Sequence, residues 1–289
     1  MFGECHAHII MNGVNYRQAI DAHKNEPDDT IIRAHLRAYR DNGITFVRDG
    51  GDALGVSARA KQIAQEYGID YRTPIFAIHK EGHYGSIVGK SFSTMHEFHK
   101  RVLEAKKQGA DFIKIMTTGL LDFKDEGVVT GKPLPADVVK EMVHIAHEEG
   151  MAVMSHTNGS FGVRIAVEAG VDSLEHGNYM DDECLRMLAE SDTVWVPTLV
   201  TVRNLIGDGR YEDSVLLPIA EAAETNVRKA YEAGVKTASG SDAGAYMVLH
   251  GKGILDEVRA FGEILGGRKE VYDWLAEGEK KIREKFCRH

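Results

Sequence analysis

From about residue 28 the chain repeats one pattern: a short apolar run, then an amphipathic segment, often closed by a glycine just before the next run. That alternation predicts a parallel sheet covered by helices. Runs at 44–48, 71–78, 112–116, 152–155, 173–175, 194–197 and 236–239 read as strands, and 2–5 adds an eighth. Between them Thr94 and Glu97 have capping-box spacing, Pro135 suits a first helical turn, and Gly109, Gly150, Gly170 and Gly234 suit helix ends. Val138, Val139, Met142, Val143 and Ala146 recur at helical spacing, giving the helix after Pro135 an apolar face for a barrel exterior. A (β/α)8 barrel of about 250 residues would use nearly all of the 289 present. The expectation is an α/β protein in which residues 1–289 form a single barrel. Residues 268–289 are read as a terminal helix docking through Val271, Trp274, Leu275, Ile282 and Phe286.

A formal charge of -9 argues against attraction to nucleic acid or to an anionic membrane, so neither is expected as a partner. Nowhere are there about 18 consecutive apolar residues, and the start MFGECHAHII has no basic segment followed by an apolar run. A cytoplasmic protein is expected. Cys5, Cys184 and Cys287 are odd in number and widely spaced, which suits reduced thiols. The 14 histidines are the unusual feature.

His6 and His8 are two apart, so on a strand both rings project from one face and can share a metal. In Asp111-Phe112-Ile113-Lys114-Ile115-Met116, alternation puts Lys114 on the face of Phe112 and Met116, inward in a barrel strand. Burial lowers a lysine pKa, and a neutral amine reacts with carbon dioxide to give a carbamate, an anionic two-oxygen ligand. An edge strand with Lys114 facing water is the alternative. His156 and His176 close the runs VMSH and SLEH, and Asp242 closes a small-residue run, all at strand C-termini where barrel enzymes gather their functional groups. Taken singly, each histidine reads more readily as a satisfied core residue, and a helix N-cap is the alternative for Asp242; the case rests on all six falling at one barrel end.

In that order these residues resemble the metal signature of the amidohydrolase superfamily, and the text around them is similar to its imidazolonepropionase-like and Xaa-Pro dipeptidase-like branch. ECHAHI resembles a D-x-H-x-H opening with Glu4 in the aspartate position, GADFIKIMTTG an I-K-I-M strand, and VEAGVDSLEHG, VPTL and SGSDAG the later strands. EGHYG resembles a GGHG-like loop, which puts His83 beside the site. Family members usually add a small β-sandwich from chain before and after the barrel, whereas here the histidine pair begins at residue 6 and the last segment reads as helical. A barrel largely lacking that accessory layer is expected.

The resemblance implies two divalent metal ions, zinc first by donor chemistry, with His6, His8 and Asp242 on one, His156 and His176 on the other, and carboxylated Lys114 bridging. It implies hydrolysis of a C–N bond in a small substrate such as a dipeptide or N-acyl amino acid. A metal-bridging hydroxide would be the nucleophile, Asp242 the proton shuttle, and His83 the donor to the substrate carbonyl, a structural loop histidine being the equal alternative. Specificity is expected from loops 79–85 and 120–132, with His79, Tyr84, Asn178, Tyr179, Arg203 and Tyr246 as candidate contacts. Arg203 is read as the bidentate partner of a substrate carboxylate. Rival readings are a cyclic amide, lactone or phosphoester hydrolase of the same superfamily, and a catalytically silent ligand-binding barrel. A homo-oligomer is compatible with the sequence.

Overall fold

A computed structural model describes residues 2–287; Met1 and the last two residues of the expected terminal helix lie outside the described residues. Nine short parallel strands carry the architecture: β1 (Glu4–Ala7), β2 (Phe46–Asp49), β3 (Asp70–Arg72), β4 (Ala77–Lys80), β5 (Gly89–Phe92), β6 (Ile113–Met116), β7 (Val153–Thr157), β8 (Ser173–His176) and β9 (Val194–Val196). They pair in the orders β1-β2-β3 and β5-β4-β6-β7-β8-β9. Segment 236–243 joins the two ends. Trp195 N–H donates to Lys236 O and Ala238 N–H to Trp195 O, while Cys5 N–H donates to Ser239 O and Asp242 N–H to His6 O. The result is a closed (β/α)8 barrel, with no two-sheet sandwich beside it among the described residues.

Two strand expectations need correction. The run 71–78 is not one strand but β3 and β4, broken at Pro74, which has no N–H to give, and at Ile75, whose φ of 68° leaves the extended region. The barrel survives the break because Thr73 O accepts from Asp111 N–H and Ile75 O from Asp52 N–H. Segment 236–239 is not a regular strand; Thr237 makes a single bridge to Trp195. Strand β5, not foreseen, lies on the other edge of β4.

The helices follow the punctuation in the sequence. Thr94 Oγ1 and the Glu97 carboxylate cap Met95–Lys107 reciprocally, and Ala136–Glu148 buries Val139, Met142, Val143 and Ala146. Helix Lys269–Lys285 closes the N-terminal mouth of the barrel, with Ile282 and Phe286 in a cluster with Phe46, Phe112, Met154 and Val194. Gly278 makes this possible, since a Cβ there would sit 1.9 Å from Thr237 O. With that end filled, the C-terminal mouth is left for a site. No helix among the described residues is long and apolar enough to cross a membrane.

Candidate metal centre

Inward-facing positions along successive strands bring the polar side chains to the C-terminal end. His6 lies in β1 with His8 just beyond it, Lys114 in β6, His156 in β7, His176 at the end of β8, and Asp242 after the closing segment. Each of the first five is less than a tenth exposed. His176 and Asp242 have φ of 67° and 59°, a backbone that costs energy in a non-glycine residue and turns each side chain over the barrel mouth.

Three ligand atoms converge. His6 Nε2 and His8 Nε2 lie 3.4 and 3.6 Å from Asp242 Oδ1, yet that buried oxygen accepts no hydrogen bond. Neighbouring ligands on a tetrahedral ion with bonds of 2.0–2.1 Å stand about 3.3–3.4 Å apart, so the spacing fits a shared cation better than a direct contact. The His156 and His176 ring centroids are 4.6 Å apart, and His6 and His176 5.1 Å. Lys114 Nζ is buried with no hydrogen-bond partner. A buried amine without a partner is costly, and a carbamate with cations beside it would relieve that cost.

Hydrogen bonds fix which nitrogen each ring presents. His6 Nδ1 meets Glu175 Oε2 at 2.7 Å, leaving Nε2 toward Asp242. His156 Nε2–H donates to Gly119 O at 3.0 Å, which leaves the Nδ1 lone pair, and His176 Nδ1 is engaged by Thr198 Oγ1 at 2.7 Å. The His8 ring lies on Gly50, where a Cβ would sit 2.3 Å from Cε1. Burial pushes His8 and His156 down to about 3 and His6 and His176 well below the ordinary range, so all four rings are neutral, the state that ligates metal. Burial also lowers the Lys114 ammonium and raises the Asp242 carboxyl, each tempered by the other's charge.

Buried charged groups support these rings, and for Arg48, Glu175 and Glu257 the sequence analysis assigned no role. Glu175 is held by Arg48, whose Nη2 lies 2.9 and 3.1 Å from its two oxygens, and by Ser173 Oγ. Glu4 accepts from the Ser241 N–H and hydroxyl and from His6 N–H, tying the first and last barrel segments; burial pushes its carboxyl up to about 8. Glu257 accepts from the N–H groups of Leu199 and Val200 at 2.9 Å, next to Thr198. For Arg48 and Glu175 the sequence hint was a charge inside an otherwise apolar run, FVRD and SLEH, and for Glu4 its place in the opening motif ECHAHI.

These residues floor a cavity of about 630 Å³, with His8, Lys114, His156, His176 and Asp242 in its wall. Of the candidate substrate contacts, Tyr84, Asn178 and Tyr246 line it, and the Tyr84 ring centroid lies 5.0 Å from that of His156. His83, half-buried in the turn after β4, and His79, with Nδ1 against Lys80 O, are not on that wall. Tyr179 lies behind it, its hydroxyl accepting from Gly127 N–H at 2.8 Å. Arg203 is a plain correction: the helical turn Val200–Arg203 points it outward, where it pairs with Glu224 and Glu263 in a separate cleft of about 290 Å³.

The model of the Amidohydrolase family matches residues 4–267, and the chain belongs to that family. Over 170 residues it is 31% identical to an uncharacterised protein of Mycobacterium tuberculosis, covering 56% of this chain and 44% of that one. It is 28% identical over 141 residues to an ochratoxinase of Aspergillus niger, 47% of this chain and 29% of the ochratoxinase. The alignments thus span less than half the length of these curated relatives. Among solved structures, a Xaa-Pro dipeptidase with bound methionine superposes with a TM-score of 0.76 at 24% identity, over 98% of this chain and 75% of that one, a likeness of fold.

Proposed function

We propose that this chain hydrolyses a C–N bond in a small amide or peptide, such as a dipeptide or N-acyl amino acid, using two divalent metal ions, zinc first among them. The observation that carries the proposal is Lys114, a buried amine with no hydrogen bond, beside the convergent His6, His8 and Asp242 atoms. His6, His8 and Asp242 would hold one ion and His156 and His176 the other, with a Lys114 carbamate between. Family membership supports the amide bond, and the peptide follows the name of the dipeptidase whose fold the chain shares.

When bound, such ions supply an activated water at neutral pH and polarise a carbonyl. The chain's own residues do the rest. Asp242 takes the proton released as water adds to the carbonyl carbon and gives it to the amide nitrogen. The C–N bond breaks, and a carboxylic acid and an amine leave. Tyr84, on the cavity wall beside His156, is better placed than His83 to donate to the carbonyl oxygen. Glu175 keeps His6 in the tautomer with Nε2 unprotonated.

A library of dipeptides, N-acyl amino acids, simple esters and phosphoesters tests the proposal. Turnover of amides, lost in Asp242→Asn with the fold retained, is expected; ester or phosphoester turnover with every amide inert contradicts it.

A further inference from the structure

The cavity wall is polarised. Apart from Lys114 on the floor, its cations are Arg17 and Arg210, and among the described residues Asp242 is its only carboxylate. In a chain of formal charge -9 that local excess of positive charge marks a place for an anion. The two arginines differ. Both are exposed, but Arg17 Nε is engaged by its neighbour Tyr16 at 3.1 Å. Arg210 makes no ion pair and no side-chain hydrogen bond among the described residues, in contrast to Arg203 with its two glutamates. Its guanidinium carbon lies 4.2 Å from the Tyr246 ring centroid and 5.4 Å from that of Tyr211, both on the cavity wall. Stacking holds the plane in position while leaving the N–H fork unspent, the condition for bidentate capture of a carboxylate.

We infer that Arg210 anchors the anionic end of the substrate, whose apolar body lies against Leu121, Phe123 and Tyr211. Phe123 packs on Tyr211 with centroids 5.2 Å apart, and all three residues belong to one apolar cluster built from loops on different sides of the mouth. The ligand class is therefore an amphiphilic carboxylate with an aromatic or branched body, and Arg210 is its specificity determinant, the role Arg203 does not fill. The inference rests on the cavity being the substrate site.

Titration calorimetry of the metal-loaded protein with 3-phenylpropanoate and 3-phenylpropan-1-ol tests it, since the two differ only in the charged head and neither has a bond to hydrolyse. Wild type should bind the carboxylate about tenfold or more tighter. Arg210→Met should erase that preference and leave the alcohol unchanged, Tyr246→Leu should reduce it, and Arg17→Met should keep it. Equal binding of both probes by wild type, an undiminished preference in Arg210→Met, or its loss in Arg17→Met instead would overturn the inference. Because no turnover is read, failure of the proposed hydrolysis would leave this result standing, and failure here would leave hydrolysis untouched.

Discussion

Arg48 and Glu175, on strands β2 and β8, meet inside the barrel as a fully buried pair, one guanidinium nitrogen lying 2.9 and 3.1 Å from the two carboxylate oxygens. Glu175 in turn grips His6 Nδ1, and Arg48 Nε donates to Cys5 O, so the pair braces the first strand from below. Removing one partner leaves a buried charge alone. Arg48→Met is expected to cost about 3–5 kcal/mol, read by denaturant unfolding. Glu175→Gln, with its shape kept, should weaken metal affinity by about 10–100-fold in a competition titration with a chelator.

Lys114 gives a prediction of opposite sign. Its Nζ is buried without a partner, so replacing it with an apolar side chain of similar length relieves the chelated protein. Lys114→Met should stabilise the metal-free chain by about 1–3 kcal/mol while lowering metal retention, both read from thermal unfolding with and without metal. A metal-free variant less stable than wild type would mean that the amine has a structural partner.

The six polar side chains at the barrel mouth were legible because they depend on local pattern: alternation in IKIM fixed the inward face of Lys114, and the ends of VMSH and SLEH fixed the mouth for His156 and His176. What was hidden depends on pairs far apart in sequence. Glu4 with Ser241, Arg48 with Glu175 and Glu257 with Leu199 are joined only by barrel closure, which no local period records. The break at Pro74 is not marked by a change to a loop-like composition, since Tyr71 before it and Ile75 to Ile78 after it both suit strands, and what splits them is the positive φ of Ile75. Arg203 and Arg210 could not be separated by sequence, since which loop arginine turns inward depends on a one-turn helix and on aromatic rings from two other positions.

Glu257 predicts a pH dependence of stability. Burial raises its carboxyl from 4.5 to about 8, so the folded chain holds this proton more tightly than the unfolded one. Its contribution is therefore fully present below about pH 4.5 and is lost as the pH rises through about 8. Glu257→Gln, which cannot ionise, should gain stability relative to wild type across that window in urea titrations. A constant difference between the two proteins would contradict the raised pKa.

Tyr179 ties the loop bearing Leu121 and Phe123 to the far side of the mouth through the Gly127 N–H. Tyr179→Phe should leave global stability within about 1 kcal/mol, increase proteolytic nicking at 120–130, and raise KM more than it lowers kcat. Unchanged nicking would show that the hydroxyl is not what holds the loop.

The account stands on paired cations held by six residues, and metal stoichiometry by mass spectrometry of the purified chain, reconstituted with zinc, manganese or cobalt and desalted, tests it most directly. It predicts about two ions per wild-type chain and a loss of at least one in His6→Ala and in His156→Ala. A wild-type chain that is folded and retains no ion from any of these solutions would contradict it.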